Sequence, residues 1–180
     1  MKRIISILIA IILCFSFSAC GTDEPSKEVA SNNNSQKKQE QTFGLNETAV
    51  FSNLKFTATE LKESAGTDFF KPESGNIFVG INFTIENTSD EEQTVSTLML
   101  FEGYADDIKC DYSFSATCAF DEGTLDGTIA PGKKLVGWYA VEIPSTWKTL
   151  ELNVQSDWLS NSSAKFVFTK EFLAKNKKPH

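Results

Sequence analysis

The chain has 180 residues, 41% hydrophobic and 23% charged, with a formal net charge of −7. Losing the two positive charges of Lys2 and Arg3 would take that −7 to −9, and Arg3 is the sole arginine. An acidic chain without a guanidinium fork is a poor match for nucleic acid, whose phosphates call for basic patches, and for nucleotides or phosphosugars.

The amino terminus reads as an export signal. Lys2 and Arg3 precede an almost wholly apolar run from Ile4 to Phe17, and Ser18-Ala19 supply the small side chains that a signal peptidase accommodates. The run is shorter than the roughly 20 apolar residues that a membrane-spanning helix needs before Asp23 and Glu24 bring in charge. Phe17-Ser18-Ala19-Cys20, followed by Gly21, resembles the lipobox of bacterial lipoproteins, with Phe17 where such boxes usually hold leucine. That resemblance implies removal of residues 1–19 and a thioether-linked diacylglycerol on Cys20 as the only prosthetic group, leaving the protein outside the cytoplasm on the bacterial cell membrane. Two acyl chains suffice to hold a soluble domain there.

Residues 20–42 form the expected linker. The stretch GTDEPSKEVASNNNSQKKQEQT has almost no large apolar residue and cannot offset the entropy of ordering. About 22 such residues span on the order of 25 Å as a coil.

From Phe43 the apolar period becomes two. In NIFVGINFTIENTSD, Ile77, Val79, Ile81, Phe83 and Ile85 alternate with Phe78, Gly80, Asn82, Thr84 and Glu86, predicting a strand with one row inward and a mostly polar row outward. Shorter alternating rows follow at Leu54, Phe56 and Ala58, at Leu135, Tyr139, Val141 and Ile143, at Leu150, Leu152 and Val154, and at Phe166 and Phe168. VSTLMLFEG, from Val95, is apolar on both faces and reads as a central strand or, alternatively, a short helix. A weak helix is expected near Lys170 to Lys175. Six to eight short strands with no long helical period predict an all-β fold, an antiparallel immunoglobulin-like β-sandwich over residues 43–173, with a basic tail at 174–180.

GNIFVGINFTIENTSDE and GTIAPGKKLVGWYAVEIP resemble the two most recognisable blocks of domain of unknown function 4352, an immunoglobulin-like module of secreted bacterial lipoproteins. The resemblance spans about Phe43 to Thr169. It implies the fold and an extracytoplasmic setting, and it brings no catalytic residues.

The middle segment, LFEGYADDIKCDYSFSATCAFDEG, departs from those blocks. Its Cys110 and Cys118 are expected to form a disulfide, closing a loop worth about 2.6 kcal/mol on the chain-entropy model; the alternative is two free thiols held by packing. A zinc site lacks ligands, because the only histidine is the terminal His180. The carboxylates Asp106, Asp107, Asp111, Asp121, Glu122 and Asp126 do not follow a calcium-loop spacing and read as a solvated acidic face. Glu102 and Glu122 would serve a glycosidase only at a separation the sequence leaves open. No Ser-His-Asp or Cys-His set is available. The chain is therefore expected to be neither an enzyme nor a metalloprotein.

Two functional classes remain: a lipid-tethered module that binds an envelope protein or polymer, or an accessory envelope protein without a small ligand. For the first, Asp106, Asp107 and Asp111 are the predicted contacts, with charge reversal at Asp106 and Asp107 expected to weaken partner binding while leaving the melting temperature nearly unchanged. Trp138 and Trp147 are candidates for an exposed platform if they escape the core, as is Trp158. Oligomeric state is not legible.

Overall fold

The computed structural model describes residues 26–27, 41–121, 123–157 and 162–176. Cys20, Glu122, Trp158 and the last four residues of the basic tail lie outside the described residues. In chain order the strands are β1 (Ser26–Lys27), β2 (Thr42–Phe43), β3 (Thr48–Val50), β4 (Leu54–Ser64), β5 (Asn76–Asn87) and β6 (Gln93–Val95). A one-turn helix α1 (Thr97–Leu100) leads to β7 (Phe101–Ala105) and β8 (Ile108–Cys110), then to α2 (Phe114–Thr117) and β9 (Gly127–Ile129). The chain closes with β10 (Lys134–Pro144), β11 (Thr149–Gln155), β12 (Ser163–Thr169) and α3 (Lys170–Asn176), the last helix reaching into the stretch expected to be tail.

Two five-stranded sheets face each other. Their orders are β1-β3-β4-β5-β10 and β2-β12-β11-β7-β8, antiparallel except for the β2–β12 pair, with β6 and β9 as a separate ribbon. From β3 onward the chain crosses from the first sheet to the second after β5, returns after β8 and crosses again after β10; before that, β1 and β2 already lie in different sheets. This is the immunoglobulin-like sandwich expected from the alternating pattern. Ser26 and Lys27, inside the stretch expected to be an unordered linker, instead pair with Val50 and Ala49 of β3.

Alternation explains the core. Val79, Ile81, Phe83 and Ile85 of β5 meet Leu150, Leu152 and Val154 of β11 and Phe166 and Phe168 of β12, all buried in one cluster. Phe83 sets its ring edge-on to Phe166 at 5.2 Å and to Phe101 at 5.5 Å, the arrangement aromatic quadrupoles favour. A register shift between Ala58 and Glu60 moves the inward row of β4 from Leu54, Phe56 and Ala58 to Leu61. One extra residue thus keeps both halves of a long strand facing the core. At the end of β5 the buried Asn87 donates to Glu91 O at 2.7 Å and Ile129 O at 2.8 Å, while its Oδ1 accepts from Ser89 N and Ser89 Oγ. Gly132, at φ 68°, turns the chain so that its N–H reaches Asn87 O.

Two further expectations change. The run from Val95 is neither one central strand nor one helix: it divides into the end of β6, α1 and β7. Asp126 holds the break, its Oδ1 accepting from Thr97 N at 2.8 Å and both oxygens accepting from Thr97 Oγ1. The outward row of β5 is also less polar in effect than expected, because Phe78, Gly80 and Asn82 are buried. Phe78 forms a second apolar cluster with Ala140 and Ala116 of α2, backed by Phe70, Ala119 and Phe120. The part of the first sheet's outer face around Phe78, Gly80 and Ala140 is therefore roofed by the segment after β8, while Val136 farther along β10 stays exposed.

Candidate functional site

The β7–β8 hairpin turns through Asp106 and Asp107, both left-handed at φ 47° and 67°. A two-residue hairpin turn of this hand matches strand twist, and aspartate tolerates it better than most side chains. The Asp106 carboxylate accepts from Lys148 N at 3.0 Å and Thr149 N at 2.8 Å, and its own N–H donates to Thr149 O. Asp106 is thus a brace between the hairpin and β11, not a free contact. The expectation that charge reversal there leaves stability unchanged is corrected, because reversal would remove the acceptor of two backbone N–H groups. Asp107 stays exposed at the tip.

Below the hairpin lies a cleft of about 380 Å³ between α1 and β8. Its depth comes from Gly103: a Cβ there would sit 3.0 Å from both Cys110 Sγ and Tyr139 Oη. Phe101 and Tyr139, stacked at 5.3 Å, line the inner side, and Tyr112 lies 5.9 Å from Tyr139. One wall is α1, which leaves Leu98 77% and Met99 57% exposed. The opposite wall holds Cys110, Asp111 and Lys109, whose ammonium pairs with Glu102 at 3.2 Å. Asn153 and Gln155 add amides that donate and accept. Of the three predicted aspartates, only Asp111 lines this cleft.

The thiol and phenol in the cleft are poor acids. Burial, helped by nearby Asp111, pushes Cys110 up to about 11, and burial likewise raises Tyr139. Cys110 is therefore a protonated, weakly nucleophilic thiol near neutral pH. Both cysteines are free, Cys110 half-buried and Cys118 exposed. The expected disulfide is not formed, and topology gives the reason. Cys110 packs against the inner core, whereas Cys118 ends α2, which packs on the outer face of the first sheet.

Neither of the two described candidate tryptophans is a platform. Trp138 is 1% exposed, its ring stacked at 4.7 Å beneath Phe120 with the Lys62 ammonium 5.2 Å from its centre. Trp147 is also 1% exposed and donates from Nε1 to Glu63 Oε1 at 2.7 Å, an oxygen that also takes the Lys170 ammonium at 2.9 Å. Among the described residues the large exposed apolar side chains are elsewhere: Leu98 and Met99 at the cleft, Ile108 on β8, Phe69 at the β4–β5 loop, Phe114 on α2 and Val136 on β10. The signal for α1 was present in VSTLMLFEG: a run apolar on both faces must show one of them wherever no second layer covers it.

An antiparallel immunoglobulin-like sandwich with a half-polar cleft at one sheet edge is the class of protein that this geometry defines. The chain belongs to the family described as "Domain of unknown function (DUF4352)", whose profile matches residues 43–165. Among solved structures it is similar to a protein of Bacillus subtilis strain 168 described as a "putative lipoprotein (ycdA)", at 17% identity and TM-score 0.54. That match covers 68% of this chain and 39% of the other, so the chain spans well under half of that protein. An uncharacterized β-sandwich protein of Clostridium difficile 630 matches at 18% identity and TM-score 0.51, over 77% of this chain and all of its own. A "putative lipoprotein" of Staphylococcus aureus NCTC 8325 matches at 16% identity and TM-score 0.50, over 68% of this chain and 87% of its own. These likenesses establish the fold. No curated protein matches the chain.

Proposed function

We propose that the protein is a lipid-anchored, extracytoplasmic binding module that engages an envelope protein or polymer through the α1–β8 cleft, and that it is not an enzyme. The lipobox-like FSACG carries the anchoring half, and the description of two fold relatives as lipoproteins supports it. Diacylglycerol on Cys20 is the one prosthetic group this reading requires. The observation that carries the binding half is the pair Leu98 and Met99, exposed on a one-turn helix beside an aromatic- and amide-lined cleft. Large apolar side chains left at the rim of a concave site are a contact surface in waiting. The high pKa of Cys110 supports a non-catalytic reading of the same cleft.

The test joins both halves in one strain. Cys20→Ser should abolish fatty-acid labelling and release the protein from membrane pellets, and persistent label would overturn the anchor. Leu98→Asp/Met99→Asp should abolish crosslinking to the envelope partner of the wild-type protein while the melting temperature stays put, since exposed substitutions change stability by under about 0.5 kcal/mol. Unchanged crosslinking would favour the accessory, ligand-free class instead.

A further inference from the structure

We infer that β1 is a strap: it pins the domain to its own lipid anchor with one pole toward the membrane, so that the cleft meets a membrane-proximal partner. This rests on the anchoring proposed above, and three observations carry it, two on the described strands and one on the length of chain before them.

The first is register. Ser26 lies opposite Val50 and Lys27 opposite Ala49 in an antiparallel pair. Followed backwards toward Cys20, the chain therefore leaves β3 at its Val50 end, beside the turn at residues 51–53. The same pole carries the end of β5 and the start of β10, since Leu54 pairs with Asn87 and Lys134 with Glu86. Thr88 N donates to Asn53 O and Gly132 N to Asn87 O, which tie three turns into one surface. The opposite pole holds the β4–β5 loop with Phe69, the Asp106–Asp107 turn and the turn at 145–148.

The second is independent of β1. Thr42 and Phe43 run parallel to β12 against Lys165 and Phe166, close to the β12 start, which Gln155 faces at the end of β11. Because β10 begins at the first pole and β11 returns to it, the chain at residue 41 also comes in from that pole. Both approaches of the leader to the sandwich thus come from the same end.

The third is length. Six residue steps separate Cys20 from Ser26, which at full extension reach about 20 Å, against about 75 Å for the 22 steps to Thr42. The twelve residues of β5 set the poles about 40 Å apart. In the second sheet, Phe101 pairs with Val154 near the first pole and Ala105 with Leu150 near the other. Phe101, Asn153 and Gln155 therefore put the cleft in the membrane-facing half, within about 40 Å of the lipid. A partner that is itself membrane-bound satisfies that height.

The test supplies the membrane chemically, so it stands whether or not cells lipidate Cys20. The chain from residue 20 onward, carrying Cys110→Ser and Cys118→Ser, is coupled through Cys20 to a maleimide lipid in phosphatidylglycerol vesicles. A fluorescent amino acid is placed at Ser89 or at Phe69, and energy transfer to headgroup-labelled lipid is measured. Transfer should be severalfold stronger from position 89, and Ser26→Pro/Lys27→Pro, which removes both N–H donors of β1, should collapse that contrast. Equal transfer from the two positions would overturn the orientation, and a contrast that survives the proline pair would overturn the strap. Failure of the anchoring proposal would show elsewhere, as fatty-acid label persisting in Cys20→Ser cells.

Discussion

Two sheet edges, built by the two halves of one segment, are finished in opposite ways. The β10 edge of the first sheet is sealed: Ser113 N donates to Ala140 O at 2.8 Å, Trp138 N to Gly123 O at 2.9 Å, and Tyr112 and Thr124 form bridges to Val141 and Trp138. The seal fits because Gly137 and Gly80 are bare; a Cβ on Gly137 would meet the backbone oxygens of Gly123 and Thr124 at 2.6 Å, and one on Gly80 would meet the Phe120 ring at 2.6 Å. The β8 edge, built earlier in the same segment, ends its sheet with three residues, an exposed Ile108 and the cleft. A short edge bearing a lysine resists unwanted strand pairing while leaving a surface open. Composition does not separate these halves. What separates them is whether small residues on a distant strand leave room for the chain to lie down.

The sharpest way to break the sealed edge is Trp138→Ala. Removing a fully buried indole from between Phe120 and the sheet should destabilise by about 3–5 kcal/mol, lowering the melting temperature by about 10–20 °C in a domain of this size. Calorimetry of the domain checks it. A loss under about 1 kcal/mol would mean that the roof over the outer face is loose and that Trp138 is reachable after all.

That contrast also marks how far the sequence was legible. The inward row of β5 and the rows of β10, β11 and β12 were readable, because alternation is a local property and burial on one face follows from it. The fate of the outward row was not, since period two assigns faces without saying whether a distant segment covers the second one. Phe78 and Trp138 look exposed by alternation and are buried by α2 and Phe120. The site was half legible. Asp111 was among the predicted contacts, yet the cleft is made of Leu98, Met99, Gly103, Tyr112 and Tyr139 as much as of Asp111. Their convergence depends on Asp126 capping α1 from 29 residues away, which no local pattern announces.

A smaller effect sharpens the open edge. Asp106→Ala takes the acceptor from Lys148 N and Thr149 N, and thermal unfolding should report a loss of about 1–3 kcal/mol, moderated by the exposure of the turn. Asp107→Asn keeps a side chain that accepts the left-handed backbone and should stay within about 0.5 kcal/mol of the parent. If the two variants unfold alike, Asp106 is a surface charge and the hairpin needs no brace.

The smallest expected effect concerns the cysteines, which sit on opposite sides of the comparison, Cys110 in the open cleft and Cys118 beside the sealed face. Because they are apart, reduction of the native protein should leave its melting temperature unchanged, and alkylation should label Cys118 rapidly at pH 8. Cys110 should react slowly there and speed up as the pH approaches about 11, since burial holds its proton. The stability linkage has the matching sign. With the folded value above the ordinary 9.0, Cys110 favours the folded state fully below pH 9, and that contribution is lost as the pH climbs toward 11. Cys110→Ser should remove this part of the alkaline loss while Cys118→Ser leaves it in place. A peptide joining Cys110 to Cys118, with a drop of several degrees on reduction, would instead mean that the segment can bring its two halves together, and the open cleft would then be narrower than its present shape.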